Sequence, residues 1–447
     1  MSADVVVSAG VAANAEVVVC ADLGSTDTKV AAVDVRAGVL LAAASSPTTT
    51  GSDVLHGLDA ALAALAVRLP GVDLSAVRAC SSAGGGLRLA VVGYETLVSA
   101  LAGRRVALTA GAQVVHVVAG RLGAADLAAL AAARPDMVLL VGGTDGGDAD
   151  VLRHNAAALA AGPAVPVVVA GNVDARGDAV AALGGRGVGV ANVLPRIGAL
   201  CPEPARTAIR DGFLRHVIGG ERLSSGPRLR SLVRAATPDT VLTAVRLLAA
   251  QTGHDLLVVD VGGATTDVYS AVGADDDAGG ARPDAAAVAG QLWCARTVEG
   301  DLGVRGGAGG VVAAALSERL IDPAQADALG SALPDLAARP PGALAHVDLQ
   351  LAALAVVVAL RRHARTGRDL RGVRLVVGSG GVLRHAPRDA ALGVLARAVA
   401  DTGGGWALPR SPACIVDGDY VLAAVGLLAD GHHRAAGALL RRDLDSR

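Results

Sequence analysis

Short apolar runs alternate along the chain with longer stretches in which Ala and Leu recur at helical spacing. The runs 17–19 and 256–259 have the length of buried strands. Helical stretches of this kind lie at 53–69, 309–320 and 344–362. Strands that alternate with helices are typical of layered α/β folds. The pattern therefore predicts an α/β protein with helices on both faces of its sheets.

Two polar turn segments, each lying between two apolar runs, repeat one sequence frame. Segment 22–29 reads DLGSTDTK and continues into Val30. Segment 260–267, which starts 238 residues later, reads DVGGATTD and continues into Val268. A strand, a tight glycine-containing turn and a second strand predict a β-hairpin in each case.

A second repeat consists of an apolar run, a glycine loop and the tetrapeptide Val-Leu-Arg-His. It occurs around Gly142 and again around Gly378, which lies 236 residues later, nearly the offset of the hairpins. Two separate features that recur at nearly one offset predict tandem copies of one fold. We therefore expect two half-domains, 1–240 and 241–447, joined near Thr237-Pro238-Asp239.

Composition narrows the classes of protein that the chain can belong to. With 52% hydrophobic residues the chain can bury enough surface to fold, which excludes a disordered protein. A net charge of -2 and 1% aromatic residues argue against a nucleic-acid partner. The longest apolar run, 351–360, is half a membrane span, and no Lys or Arg precedes position 29, as a signal peptide would require. We expect a soluble cytoplasmic protein without a membrane partner.

The five cysteines contain no C-x-x-C pair, so neither a disulfide framework nor a zinc or iron–sulfur site is indicated. The histidines likewise lack ligand spacing. Free, buried thiols in a reducing compartment are the expected state.

The first hairpin has the residue types that bind phosphate. Glycine lets the backbone N–H groups approach an anion, hydroxyls can donate to it, and a lysine supplies a compact positive charge. Lys29 is the only lysine in the chain. The phosphate-binding residues predicted in this hairpin are Gly24, Ser25, Thr26, Thr28 and Lys29. Asp22, at the end of the strand, is predicted to hold hydrated Mg²⁺, which takes only one or two carboxylates.

The second hairpin repeats this layout but has Asp267 in place of the lysine. Its predicted phosphate-binding residues are Gly262, Gly263, Thr265, Thr266 and Asp267, and Asp260 is predicted as a second Mg²⁺ ligand. Two such hairpins on opposite sides of a cleft would enclose a triphosphate, whereas either one alone also occurs in ordinary turns.

Two further loops carry candidate chemistry. The loop Gly378, Ser379, Gly380 and Gly381 follows a strand and opens a helix, which suits an adenine or ribose against its backbone. A glycine turn that only packs a helix is the alternative. Glu299 and Asp301 follow the second hairpin and are second-rank candidates for orienting water or Mg²⁺, with a solvated turn as the alternative.

The hairpins and the late glycine loop together resemble the actin, Hsp70 and sugar-kinase superfamily of ATPases. Within it, longer segments are similar to the MutL proteins associated with adenosylcobalamin-dependent glutamate mutase, which are unrelated to the mismatch-repair protein of the same name. These segments span nearly the whole chain in order. They are 81–88, 139–147 with His154-Asn155, 205–211, Thr237-Pro238-Asp239, 297–305 and 378–382.

The resemblance implies two actin/Hsp70-like (ribonuclease H-like) half-domains with a nucleotide cleft between them. It also implies an ATP- and Mg²⁺-dependent chaperone, or reactivase, that helps a cobalamin mutase exchange damaged cofactor. The mutase subunits would be its partners, and a homodimer is left open. Two departures from the family pattern are Asp27, where a bulkier uncharged residue is usual, and Gly306-Gly307 after Val304-Arg305. The charge of Asp27 beside the phosphates would weaken ATP binding.

In the expected mechanism, Asp22 and Asp260 hold Mg²⁺ through water and orient the attacking water, and hydrolysis releases a bridge between the halves. Three alternatives stay open: a small-molecule kinase of the same superfamily, a non-catalytic nucleotide-sensing or polymer-forming scaffold, and an ATP-driven electron activator. The last needs a cysteine-held cluster that the spacing of these cysteines does not offer.

Overall fold

A computed structural model describes residues 15–83, 87–110, 112–218, 223–273, 294–338, 346–366 and 368–445. Its strands are β1 (Val17–Leu23), β2 (Asp27–Asp34), β3 (Val39–Pro47), β4 (Val77–Ser81), β5 (Arg88–Gly93), β6 (Gln113–Ala119), β7 (Met137–Leu140), β8 (Val167–Val169), β9 (Gly187–Gly189), β10 (Val233–Ala236), β11 (Leu256–Val261), β12 (Thr266–Ala271), β13 (Cys294–Glu299), β14 (Leu375–Ser379) and β15 (Ala413–Val416).

The α-helices lie between groups of these strands and at the end of the chain. They are α1 (Val54–Arg68), α2 (Leu101–Thr109), α3 (Ala124–Ala132), α4 (Asp150–Ala160), α5 (Val173–Leu183), α6 (Glu203–Gly212), α7 (Pro227–Leu232), α8 (Thr237–Thr252), α9 (Ala308–Ser317), α10 (Pro323–Ala338), α11 (His346–Ala364), α12 (Gly381–His385), α13 (Arg388–Val399), α14 (Val421–Leu428) and α15 (His433–Asp445). Within the described ranges, none of the helices is long and apolar enough to cross a membrane.

Two of the sheets share one topology. The first sheet has the strand order β10-β4-β1-β2-β3 and the last sheet has the order β13-β12-β11-β14-β15. In each sheet the first three strands along the chain form an antiparallel meander, the fourth strand lies parallel beside the first, and the fifth lies parallel beside the fourth. The shared topology confirms the predicted fold class, an α/β protein with two sheets of one topology in tandem.

The glycine loops around Gly142 and Gly378 do not occupy equivalent positions, so their predicted pairing is wrong. Strand β7, which leads into Gly142, is not a member of the first sheet. The strand that corresponds to β14 is β4, because β4 lies parallel to β1 as β14 lies parallel to β11. The registers place Cys80 opposite Asp22 and Ser379 opposite Asp260. An apolar run before a glycine loop is common to buried parallel strands, so that similarity alone did not identify equivalent strands.

The strand β7 belongs instead to an inserted sheet of parallel strands in the order β6-β5-β7-β8-β9. This sheet lies between β4 and β10 in the sequence, and α3, α4 and α5 alternate with its strands. The sequence predicts only a single half-domain, 1–240, over these residues. The segment Gly84-Gly85-Gly86, which carries part of the family resemblance, lies outside the described residues.

Helices α8 and α14 lie in a core shared by the first and last sheets. Leu242 of α8 and Leu428 of α14 pack in one cluster with Val18 and Ala31 of the first sheet and Val258 of the last. The chain passes from one sheet to the other through α8, whose first turn is buried. The predicted division at residue 240 therefore lies in a buried helix that both sheets contact.

Candidate functional site

The two predicted hairpins have the same register. Asp22 lies opposite Lys29 across β1 and β2, and Asp260 lies opposite Asp267 across β11 and β12. In each hairpin the aspartate of the first strand therefore lies beside the charged residue of the second strand, which is Lys29 in one hairpin and Asp267 in the other. This equivalence was predicted from the repeated sequence frame.

The turns of the two hairpins close in the same way. The N–H of Gly24 donates to the carbonyl of Asp27 (3.1 Å), and the N–H of Gly262 donates to the carbonyl of Thr265 (2.9 Å). A Cβ added at Gly24 would lie 2.7 Å from the carbonyl oxygen of Asp27. A Cβ added at Gly262 would lie 2.9 Å from the carbonyl oxygen of Thr265. Both turns therefore exclude any side chain at this glycine, and the exposed backbone remains open to an approaching anion.

Asp22 is buried and is held by two hydroxyl groups from distant parts of the chain. Thr237 Oγ1 donates to Oδ1 (2.6 Å), and Tyr420 Oη donates to Oδ2 (2.8 Å). Cys80 Sγ lies 3.5 Å from Oδ1. Only 4% of Asp22 is exposed. The carboxylate predicted to hold Mg²⁺ is therefore hydrogen-bonded through both oxygens.

Lys29 connects the first hairpin to the last sheet. Its Nζ lies 3.7 Å from the centroid of the Tyr420 ring, in a cation–π contact. Its charge also lowers the pKa of Asp260. The predicted phosphate lysine therefore lies beside residues of both halves.

Asp260 has an unusual environment for a carboxylate. Its pKa is raised to about 6, chiefly by burial and also by the neighbouring Asp267 and Asp22, while the charges of Lys29 and Arg296 oppose the increase. Within the described residues, no hydrogen-bond donor contacts its carboxylate. A carboxylate in this position can bind a cation, because a bound cation would offset the cost of its burial.

Asp267, the counterpart of Lys29, already has a cationic partner. Arg296 Nη2 and Nε lie 2.7 Å and 3.0 Å from Asp267 Oδ1, and Arg296 is buried. Thr265 Oγ1 lies 3.4 Å from the other carboxylate oxygen. Asp267 is therefore paired within the last sheet, and its predicted phosphate contact stays a prediction.

The threonine and serine hydroxyls divide into two groups. Ser25 and Thr26 are exposed at the tip of the first turn, where a ligand can reach them. Thr28 and Thr266 are buried: the Thr28 hydroxyl shares a hydrogen bond with Thr48 (2.9 Å), and Thr266 Oγ1 donates to the carbonyl of Leu302 (2.6 Å). The buried pair fixes the hairpins to the segments behind them, which favours a supporting role over phosphate contact.

Glu299 and Asp301 are both bound by Arg362. Arg362 Nη1 lies 2.8 Å from Glu299 Oε2 and 2.6 Å from Asp301 Oδ1. Burial raises the pKa of Glu299, whereas the hydrogen bond from Arg362 lowers the pKa of Asp301. Because this ion pair engages both carboxylates, the structure favours a structural role for them over orienting water.

The segment after these two acids braces the second hairpin. The N–H of Val304 donates to the carbonyl of Gly262 (3.1 Å), and the N–H of Arg305 donates to the carbonyl of Gly263 (2.9 Å). The residues 297–305 that carry the family resemblance therefore hold the second turn in place.

The loop Gly378–Gly381 lies beside Asp260. As predicted, it follows a strand and opens a helix, since β14 ends at Ser379 and α12 begins at Gly381. Gly380 has φ +99, and a Cβ there would overlap the carbonyl oxygen of Val261. Only glycine fits this approach between the loop and the second hairpin. Contact with an adenosine stays a prediction.

Sequence reasoning missed Thr237 and Tyr420 as partners of Asp22. From the sequence, Thr237-Pro238-Asp239 is the expected join between the halves and a segment that resembles the family, with no indication of a contact with Asp22. The structure adds that Asp239 binds Arg206 (3.0 Å) and Arg210 (2.9 Å to Nε), which links it to the resembling segment 205–211. For Tyr420 the only signal in the sequence was the scarcity of tyrosine.

Among the residues that the structure describes, no group of three or more His, Cys, Asp or Glu side chains is arranged to hold a metal. A Mg²⁺ ion here would therefore need ligands that the protein does not supply. A nucleotide's phosphate oxygens and water are the usual ones, together with one or two carboxylates. The unbonded carboxylate of Asp260 fits that requirement.

Comparison with known proteins gives a family for the chain. A family model described as MutL protein matches residues 18–444. Protein MutL from Clostridium tetanomorphum is 33% identical over 443 residues, which cover 92% of this chain and 95% of that protein.

Solved structures show more distant likenesses. The nucleotide-free structure of acetone carboxylase is 16% identical in sequence, with a TM-score of 0.36. The match spans 85% of this chain and 67% of the acetone carboxylase chain. A glycerol dehydratase reactivase is 14% identical, covers 93% of this chain and 100% of its own, and has a TM-score of 0.35. Neither likeness is close enough to identify a function.

Proposed function

This chain belongs to the MutL protein family, and from that premise we propose that it is an ATP-dependent reactivating chaperone. Its client would be an adenosylcobalamin-dependent carbon-skeleton mutase of the glutamate mutase type. The observation that carries the ATP-dependent part is the pair of matched hairpins, whose residues Lys29 and Asp260 lie close together although they belong to different halves.

The hairpins provide what a triphosphate needs. The backbone at Gly24 and Gly262 is unobstructed, Ser25 and Thr26 present exposed hydroxyls, and Lys29 supplies a compact positive charge. These residues would bind the β- and γ-phosphates from opposite sides. The glycine loop beginning at Gly378 would lie against the adenosine.

Asp260 would hold Mg²⁺ directly or through water, and Asp22 would do so once its hydroxyl partners move. Bound Mg²⁺ would neutralise charge on the phosphate oxygens, which is the main catalytic contribution in phosphoryl transfer. Asp260, with a pKa of about 6, is also the better placed of the two to orient a water and accept its proton. Either aspartate could also contribute only by holding the nucleotide and its Mg²⁺ in position, without accepting a proton.

Hydrolysis would act on the client through movement of the halves. A γ-phosphate bound by both hairpins ties the first sheet to the last, and its release removes the tie. Shifting a two-state equilibrium from 1:99 to 99:1 requires about 5.5 kcal/mol of differential affinity, which several charged phosphate contacts can supply. The client would then be opened in only one of the two states, allowing damaged cobalamin to leave.

The test has a nucleotide arm and a client arm. Asp22→Ala and Asp260→Ala should each reduce Mg·ATP hydrolysis at least tenfold, and unchanged hydrolysis in both would refute the site. In the client arm, the protein is added with Mg·ATP and fresh adenosylcobalamin to an inactivated cobalamin mutase from the same source. Activity should return only with ATP, and no recovery with any such mutase would refute the reactivase function while leaving the ATP site intact.

A further inference from the structure

Tyr420 lies where the two halves of the molecule meet. It immediately precedes α14, the helix in the core between the first and last sheets, and its side chain reaches the first hairpin. There it contacts both charged residues of the hairpin: its hydroxyl donates to Asp22 (2.8 Å), and its ring lies under the Lys29 ammonium (3.7 Å). One side chain of the second half therefore engages the two groups that a Mg·nucleotide would require.

The backbone at Tyr420 is also unusual. Its φ of 58 and ψ of 43 lie in the left-handed region, which a tyrosine adopts only when the surrounding structure holds it there. Asp417 contributes to this by accepting hydrogen bonds from the N–H groups of Val421 and Leu422, which fixes the start of α14. A residue held in a strained conformation by its contacts is suited to change conformation when those contacts are replaced.

There is little room beside this contact. The cavity lined by Asp22, Lys29, Tyr420 and Arg384 has a volume of about 20 Å³, room for one water molecule. A hydrated cation cannot reach the carboxylate of Asp22 while two hydroxyls cover it. A cation therefore reaches Asp22 only when Tyr420 or Thr237 moves, and of these two Tyr420 is the one that also contacts Lys29.

We propose that Tyr420 is a latch that holds the halves together without nucleotide and is released when Mg·ATP takes Asp22 and Lys29. The inference rests on the proposed ATP site and deepens it. Because Tyr420 continues directly into α14, its release would be transmitted to the core between the two sheets. The latch thereby supplies the physical link between nucleotide binding and movement of the halves.

The variant Tyr420→Phe tests the latch with the smallest change. It keeps the ring on Lys29 and removes the hydroxyl that occupies Asp22. Because the nucleotide no longer has to displace that hydrogen bond, Mg·ATP should bind at least fivefold more tightly by titration calorimetry. Tyr94→Phe, just after β5 of the inserted sheet, is the matched control: it removes a hydroxyl 3.5 Å from Asp148 and should leave the affinity unchanged.

Hydrogen exchange gives a second reading that does not depend on nucleotide. Amides of 421–428 should exchange faster in nucleotide-free Tyr420→Phe than in the wild type, and should approach the rates that Mg·ATP produces in the wild type. A purely structural role would instead weaken nucleotide binding or leave it unchanged, and either result overturns the latch. A wild-type protein that binds no nucleotide overturns the ATP site together with the latch, whereas binding with unaltered affinity in the variant overturns the latch alone.

Discussion

The raised pKa of Asp260 predicts that its neutral replacement, Asp260→Asn, stabilises the protein while abolishing the proposed Mg·ATP hydrolysis. Burial raises this pKa from 3.8 to about 6, so the folded protein binds the proton more tightly than the unfolded chain does. One pKa unit corresponds to about 1.4 kcal/mol, so removing the charge of a fully buried carboxylate with this shift would raise the free energy of unfolding by about 3 kcal/mol. Because the side chain is partly exposed, we expect solvent screening to reduce the gain to about 1–2 kcal/mol.

The sign of the effect makes it depend on pH in a recognisable way. Below about pH 4 the carboxyl is protonated in both states, and between pH 4 and 6 the ionised form increasingly opposes folding. The stability associated with Asp260 is therefore present at low pH and lost as the pH rises through about 6. Urea unfolding should show Asp260→Asn as more stable than the wild type at pH 8 and close to it at pH 4.5, with Mg·ATP hydrolysis lost at pH 8.

Asp267→Asn is the matched control, because it makes the same chemical change on the neighbouring strand. It removes a carboxylate that is ion-paired with buried Arg296 and should destabilise the protein by roughly 3 kcal/mol at pH 8. The reasoning is wrong if Asp260→Asn destabilises the protein at pH 8, or if its gain is equal at the two pH values.

Two further substitutions test the hairpins themselves. Lys29→Arg should weaken Mg·ATP binding about tenfold by titration calorimetry, because the wider guanidinium replaces a point charge above Tyr420. The control Arg36→Lys changes a residue in an exposed ion pair and should leave the affinity unchanged. Equal affinities in the two variants would contradict a phosphate role for Lys29. Gly262→Ala places a Cβ 2.9 Å from a carbonyl oxygen and should destabilise the protein by roughly 1–3 kcal/mol in urea unfolding. Gly51→Ala, which has open space around its Cβ, should unfold like the wild type, and a matching loss there would point to a general effect of removing glycine.

The sequence was sufficient to predict the hairpins and the fold class, because both depend on local patterns. The turn of each hairpin has the same backbone geometry and requires a glycine. An aspartate lies at the same position of the first strand in both hairpins. The repeated frame around Asp22 and Asp260 therefore identified equivalent positions. The resemblance to the MutL family, which the comparisons confirm, extends the prediction from the hairpins to nearly the whole chain.

The sequence could not predict contacts between distant segments. Arg362 of helix α11 forms ion pairs with Glu299 and Asp301, and Tyr420 reaches Asp22 from the start of α14. Such pairs depend on how the sheets pack, which no local pattern records. The inserted sheet was missed for a related reason, because its parallel strands have the same apolar runs as those of the two halves.

The position of the inserted sheet has a consequence for the order in which the chain can fold. The ribosome completes β5 to β9 before it makes β10, the strand that pairs with the outer edge of β4. That edge of the first sheet must stay unpaired while the whole inserted sheet is synthesised, and an unpaired parallel strand is a site for wrong association. Strand β4 is short and most of it is buried in the finished protein. Nascent chains of this protein therefore present an unpaired sheet edge for much of their synthesis.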